Sequence, residues 1–193
     1  MWRRTCLFLF AICFSSAAIA QSAATSAKQA IDNDFVQKQF GSTCTREPGP
    51  QPLTADLDGD GVEDVVIVAR CANPLMDEAE HNYKVIDPYD AFFGYGDPKV
   101  TTQFSSEEPQ RRGLALLIIH GTRAEAWHAA EPKAKFVVVN LPFKQLAVKK
   151  LTVRKKTVMA IYAEEAREGE GTVSAIFWDG KKYKYQPLGS TME

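Results

Sequence analysis

The sequence predicts a mainly β protein, an antiparallel sheet domain with one helix near its N-terminus, and an α+β arrangement is the nearest alternative. Three observations predict it. Short apolar, β-branched runs recur from residue 64 onward. The last two of them are joined by Asp179-Gly180, a dipeptide that tolerates the positive φ a tight hairpin demands. Before residue 64, one stretch alone carries helical spacing.

The chain opens with Arg3 and Arg4, then an unbroken apolar run over 6–14, then Ala18-Ile19-Ala20, a small-x-small pattern. That order is expected of an export leader, residues 1–20, cleaved after Ala20. The run is far short of the roughly 20 apolar residues that cross a bilayer, and no later stretch is longer, so no membrane span is expected. Ile12 stands before Cys13 where a lipoprotein leader needs a small residue. The expected location is the periplasm or the secreted medium. Residues 21–193, the 193 less the leader's 20, are expected to form a single domain, long enough to bury an ordinary core.

Of the 23 Lys and Arg, the two in the leader leave 21 against 24 acids, a net charge of −3. Such a balance gives no electrostatic footprint for nucleic acid or an anionic membrane surface. The lysines around 144–156 and 181–184 alternate with apolar residues and are expected on the solvated face of a sheet. Cleavage leaves two cysteines, Cys44 and Cys71. In an oxidising compartment two thiols are expected to pair with each other.

Residues 26–40 read as the helix, with Ile31, Phe35 and Val36 or Phe40 on one side, Ser26 as N-cap and Gly41 as the stop. Pro48-Gly49-Pro50 then breaks regular structure. Strands are expected at 64–69, 114–119, 136–139, 158–163, 172–178 and 182–185, the last three as an antiparallel meander. In the final strand Tyr183 and Tyr185 point one way, Lys182 and Lys184 the other. Between 71 and 112 the pattern is weak, broken by Asn73-Pro74, Asp87-Pro88 and Asp97-Pro98. Its aromatic residues Phe92, Phe93 and Tyr95 are expected either to roof a satellite core or to form a recognition loop.

The chemistry concentrates in 56–64, Asp-Leu-Asp-Gly-Asp-Gly-Val-Glu-Asp, with carboxylates at loop positions one, three, five and nine. Calcium takes six to eight hard oxygen ligands at about 2.3–2.6 Å, in a geometry flexible enough for a curled loop. Gly61 permits the sharp turn, Val62 offers only its backbone carbonyl, and Glu63 is expected to point outward. Four carboxylates so close would repel one another without a cation. Position twelve is Ile67, so the acid an EF-hand requires there is missing and the loop feeds a strand.

At this point the loop resembles FG-GAP and VCBS-type repeats, whose calcium sites read Asp-x-Asp-Gly-Asp-Gly-x-x-Asp before an apolar strand. The resemblance covers about residues 54–69. It implies Ca2+ held by the side chains of Asp56, Asp58, Asp60 and Asp64 and by the main chain of Val62. Those repeats come in tandem as propeller blades, whereas this pattern occurs once, so no propeller is expected.

The remaining polar residues carry no catalytic motif. His81, His120 and His128 form no His-Glu-x-x-His pattern, and there is no nucleophile elbow or phosphate-cradling glycine loop. His120 is expected to be a strand-end histidine satisfied by local hydrogen bonds. Glu107-Glu108 and Glu164-Glu165 are expected as solvated neighbours facing opposite ways. The expected function is that of an exported binding or structural module with an architectural calcium and a protein or glycan partner. The alternatives are a periplasmic hydrolase with a non-local active site and an inhibitor of a secreted enzyme.

Overall fold

A computed structural model describes residues 30–94, 112–165 and 171–190. The expected leader, Ser26, Tyr95 and Glu107-Glu108 lie outside these residues. The helix is shorter than the sequence spacing implies: α1 is Asn33–Phe40, and its N-cap is Asp32 rather than Ser26. Asp32 holds an extended backbone, and its carboxylate accepts the Phe35 amide at 2.8 Å. That bond satisfies a donor the first turn leaves free, so the helix starts there. Gly41 ends it as expected, donating its amide to the Gln37 carbonyl at 2.9 Å.

Two sheets follow. The first holds β1 (Cys44–Arg46), β2 (Leu53–Ala55), β3 (Asp64–Cys71), β4 (Lys84–Ile86), β5 (Leu114–His120) and β6 (Ala134–Val138). Its order is β1-β3-β5-β6-β4, with β2 also paired to β3. The β4–β6 pair is parallel, which makes the sheet mixed. The second holds β7 (Gln145–Val153), β8 (Lys156–Glu164), β9 (Thr172–Trp178) and β10 (Tyr183–Ser190), antiparallel throughout in the order β10-β9-β8-β7. The expected meander is therefore present with β7 added. β7 and β8 are joined at Arg154 and Lys155, both at positive φ. Primed hairpin turns need that conformation, and Asn-Gly or Asp-Gly usually announces it. Arg-Lys gives no such signal.

The first sheet is covered on both faces, which explains why its central strands are unbroken apolar runs instead of alternating ones. Val65, Ile67, Ala69, Leu117 and Ile119 pack with Phe35, Val36 and Phe40 of α1. Val66, Val68, Leu116, Ile118 and Val138 pack against Ile161, Ala163, Ile176, Tyr183 and Tyr185 of the second sheet. Each Val, Leu, Ile or Phe among them contributes about 1.5–3 kcal/mol by leaving water. The outer face of the second sheet carries a smaller cluster of Leu151, Ala160, Ala175 and Phe177. Lys149 and Lys150 of β7 are both exposed; as neighbours in a strand they face opposite ways, so the strand is open to water on both sides there.

A second helix, α2 (Pro88–Phe93), occupies part of the weakly patterned stretch. Asp87-Pro88, read from sequence as a break, is an N-cap followed by a proline in the first turn, where its missing N–H costs nothing. Asp87 is fully buried, accepting the Asp90 amide at 2.8 Å and the Asn140 side-chain amide at 2.5 Å. Burial pushes its carboxyl up from 3.8 to about 6, against the lowering effect of those two bonds. A raised folded-state value means this group's contribution to stability is fully present below 3.8 and is lost as pH rises through about 6. Asp87→Asn removes that titration while keeping a capping side chain. Wild type should therefore gain roughly 2 kcal/mol relative to the variant between pH 7 and pH 4, read from urea midpoints at each pH. Parallel pH profiles for the two proteins would refute it.

Candidate metal centre

The acidic loop is the connection of a hairpin. Ala55, at the end of β2, pairs with Asp64, at the start of β3, and residues 56–63 curl between them. Its carboxylates organise its own amides. Asp56 Oδ1 accepts from Gly59 at 2.8 Å and Asp60 at 3.0 Å, and Asp56 Oδ2 from Gly61 at 2.9 Å. Asp58 Oδ1 accepts from Asp60 at 3.2 Å, and Asp60 Oδ1 from Val62 at 2.9 Å. Gly59 and Gly61 take φ of 79° and 85°, which the tight curl requires and a Cβ would strain.

Asp64 turns inward and is completely buried. Its Oδ2 accepts the Leu57 amide and its Oδ1 the Gly121 amide, both at 2.7 Å. This one side chain ties the loop to the end of β5. Burial raises its carboxyl to about 6, although both amide bonds pull the other way. The approach is close enough to require Gly121. A Cβ there would lie 2.4 Å from the Glu63 carbonyl oxygen and 2.9 Å from a Val62 methyl carbon. Glu63 is exposed, as expected, and accepts the Trp127 indole N–H at 3.0 Å.

His120 is a strand-end histidine, but its partners are not local. Nε2 lies 2.7 Å from the Tyr183 hydroxyl on β10, and Nδ1 lies 3.3 Å from Asp58 Oδ2. Burial lowers its basicity, with the Asp58 charge opposing. The ring sits among Phe136, Trp178 and Tyr183. No spacing rule links residues 58, 120 and 183, so the sequence held no signal for this contact.

Two groups of ligand atoms result, each with all members within 4.8 Å of one another: Asp56, Asp58 and Asp60, and Asp58, Asp64 and His120. Either group can hold a metal ion, and Asp58 belongs to both. Two oxygens on one ion at about 2.4 Å are separated by no more than twice that distance, so the first group fits a hard cation on oxygen donors alone. The structure also supplies a cation that the sequence argument overlooked. Lys133, on the connection between β5 and β6, places Nζ 2.7 Å from Asp58 Oδ2 and 2.5 Å from Asp60 Oδ2. These bonds hold the Asp60 carboxyl below its ordinary range and the Lys133 ammonium above its own. The repulsion expected of the loop's carboxylates is thus relieved in part by the chain itself.

The other sequence expectations divide. Cys44 and Cys71 form a disulfide across directly opposed residues of β1 and β3. Phe92 and Phe93 lie on α2 rather than on a loop, each about half exposed, with ring centroids 5.2 and 6.1 Å from that of Tyr185. They cover the aromatic end of the second sheet and still face outward. Glu165 corrects the expectation of a solvated charge. It is buried, and accepts hydrogen bonds from the Tyr185 hydroxyl and, at 3.3 Å, from Thr172. A hydroxyl-lined interior allows this in a way neighbouring residues do not reveal.

Against known proteins, the chain matches no family model, no curated protein and no solved structure.

Proposed function

We propose that this protein is an exported β-domain that holds one calcium ion in the loop 56–64 and serves as a binding or structural module. The observation that carries this reading is the convergence of Asp56, Asp58 and Asp60 within 4.8 Å at the turn of a hairpin. Val62 and Asp64 complete the ligand set that the repeat resemblance implies. The ion's task is architectural: its ligands come from one continuous stretch and hold a turn. Phe92 and Phe93 are the surface offered to a protein or glycan partner. A buried disulfide accords with export to an oxidising compartment.

A transition ion on Asp58, Asp64 and His120 is the competing tenant, because imidazole suits zinc. Calcium is favoured since Asp56, Asp58 and Asp60 offer oxygen donors alone and are more accessible than the buried Asp64 and His120. Binding to the native state alone stabilises by about 2.7 kcal/mol at a hundredfold excess over Kd. Thermal denaturation should therefore show a rise in Tm with calcium, reversal by EGTA and no comparable rise with zinc. The double change Asp58→Ala and Asp60→Ala should abolish the calcium response. An unchanged Tm in calcium, with no heat on titrating metal-free protein, refutes the proposal.

A further inference from the structure

Beyond the ligand set, the loop contains its own competitor. In the outer group the backbone amides engage one oxygen each of Asp58 and Asp60, both Oδ1, and both oxygens of Asp56. The Oδ2 atoms of Asp58 and Asp60 are the ones turned away from the loop amides. Both are bridged by the Lys133 ammonium. Asp58 is held firmly in this arrangement, its side chain 3 % exposed, whereas that of Lys133 is 47 % exposed.

We propose that Lys133 is a tethered cation that any metal must displace, and that it sets the affinity and the charge selectivity of the loop. This inference rests on the calcium reading. A divalent ion about 2.4 Å from those two oxygens would share them with an ammonium at hydrogen-bond distance, and two cations so close repel. One of them leaves. Lys133 can leave because its long, flexible stem already reaches water, where an ammonium is well solvated. Asp58 cannot, because its carboxylate is walled in beside His120. A monovalent ion gains too little from the same oxygens to replace a charge equal to its own. A divalent ion gains twice the Coulombic attraction and can draw on further oxygen ligands.

Displacement also moves something. Lys133 begins the approach to β6, and its backbone amide bonds the His120 carbonyl at 3.0 Å. The side chain can swing out while the strand stays in place, so metal occupancy exchanges a half-exposed ion pair for a free surface ammonium.

The test is calorimetric titration of the metal-freed full chain with calcium chloride, as wild type, Lys133→Gln and Lys133→Arg. Removing the competitor should tighten calcium binding by about tenfold in Lys133→Gln. Lys133→Arg keeps the charge and should bind no more tightly than wild type. In parallel, wild type is pulsed with a water-soluble acetylating reagent and digested for mass spectrometry. Acetylation of Lys133 should rise several-fold when calcium is added, and this readout needs no variant to fold. Equal affinity in wild type and Lys133→Gln, or weaker binding in Lys133→Gln, overturns the displacement while leaving the calcium reading intact. Unchanged acetylation of Lys133 at saturating calcium overturns it as well. No calcium heat in any of the three proteins overturns the calcium reading, and this inference with it.

Discussion

Asp64→Ala is expected to lower stability by about 3–5 kcal/mol in urea denaturation, because it strips the partner from two buried N–H groups at once. Those groups are the amides of Leu57 and Gly121, each 2.7 Å from a different oxygen of the fully buried Asp64. The measurement belongs in EGTA, so that loss of a metal ligand does not contribute. Asp64→Asn should lose less, since its remaining carbonyl oxygen still accepts one of the two amides. A loss under about 0.5 kcal/mol for the alanine variant, the level of an ordinary surface change, would show that the carboxylate does not tie the loop to β5.

Removing the disulfide, by the double change Cys44→Ala and Cys71→Ala, should cost about 3–4 kcal/mol in the chain-entropy estimate. The bridge closes a segment with a sequence separation of 27, which contains β2 and the whole acidic loop. Both cysteines are buried, at 0 % and 2 % exposure, so a reductant should reach the bridge only when the chain opens. The double variant should also bind calcium more weakly, because ordering the loop then falls more heavily on the binding step. Two titratable thiols in the denatured, unreduced protein lacking residues 1–20, and with them Cys6 and Cys13, would refute the pairing. Equal urea midpoints for wild type and the double variant would refute its role in stability.

What could be read from the chain beforehand follows the range of the forces involved. The strands expected at 64–69, 114–119 and 172–178 are legible because each is a local apolar run bounded by turn residues. The start of α1 was misplaced because Ser26 and Asp32 are both competent caps, and backbone context selects between them. The acidic loop was legible because all its ligand candidates lie within nine residues. The groups around it were not: Lys133, His120 and Tyr183 arrive from a connecting segment, β5 and β10 respectively. Their proximity depends on how two sheets stack, which no local pattern encodes. The short strands β1, β2 and β4 escaped for a related reason, since three residues cannot display a period.

A sheet walled on both sides has a further consequence for how the molecule loosens. Water can reach β3 and β5 only after α1 or the second sheet has moved away, whereas β7 lies at an edge and β10 at the opposite one. Partial opening therefore begins at the edge strands, β1 and β4 of the first sheet and β7 and β10 of the second, leaving β3 and β5 among the last to separate. The acidic loop is stitched to that pair through Asp64, Gly121 and the hairpin itself. An ion bound there would persist on a half-opened chain and favour its reclosure, protecting the protein during the interval when aggregation or proteolysis would otherwise claim it.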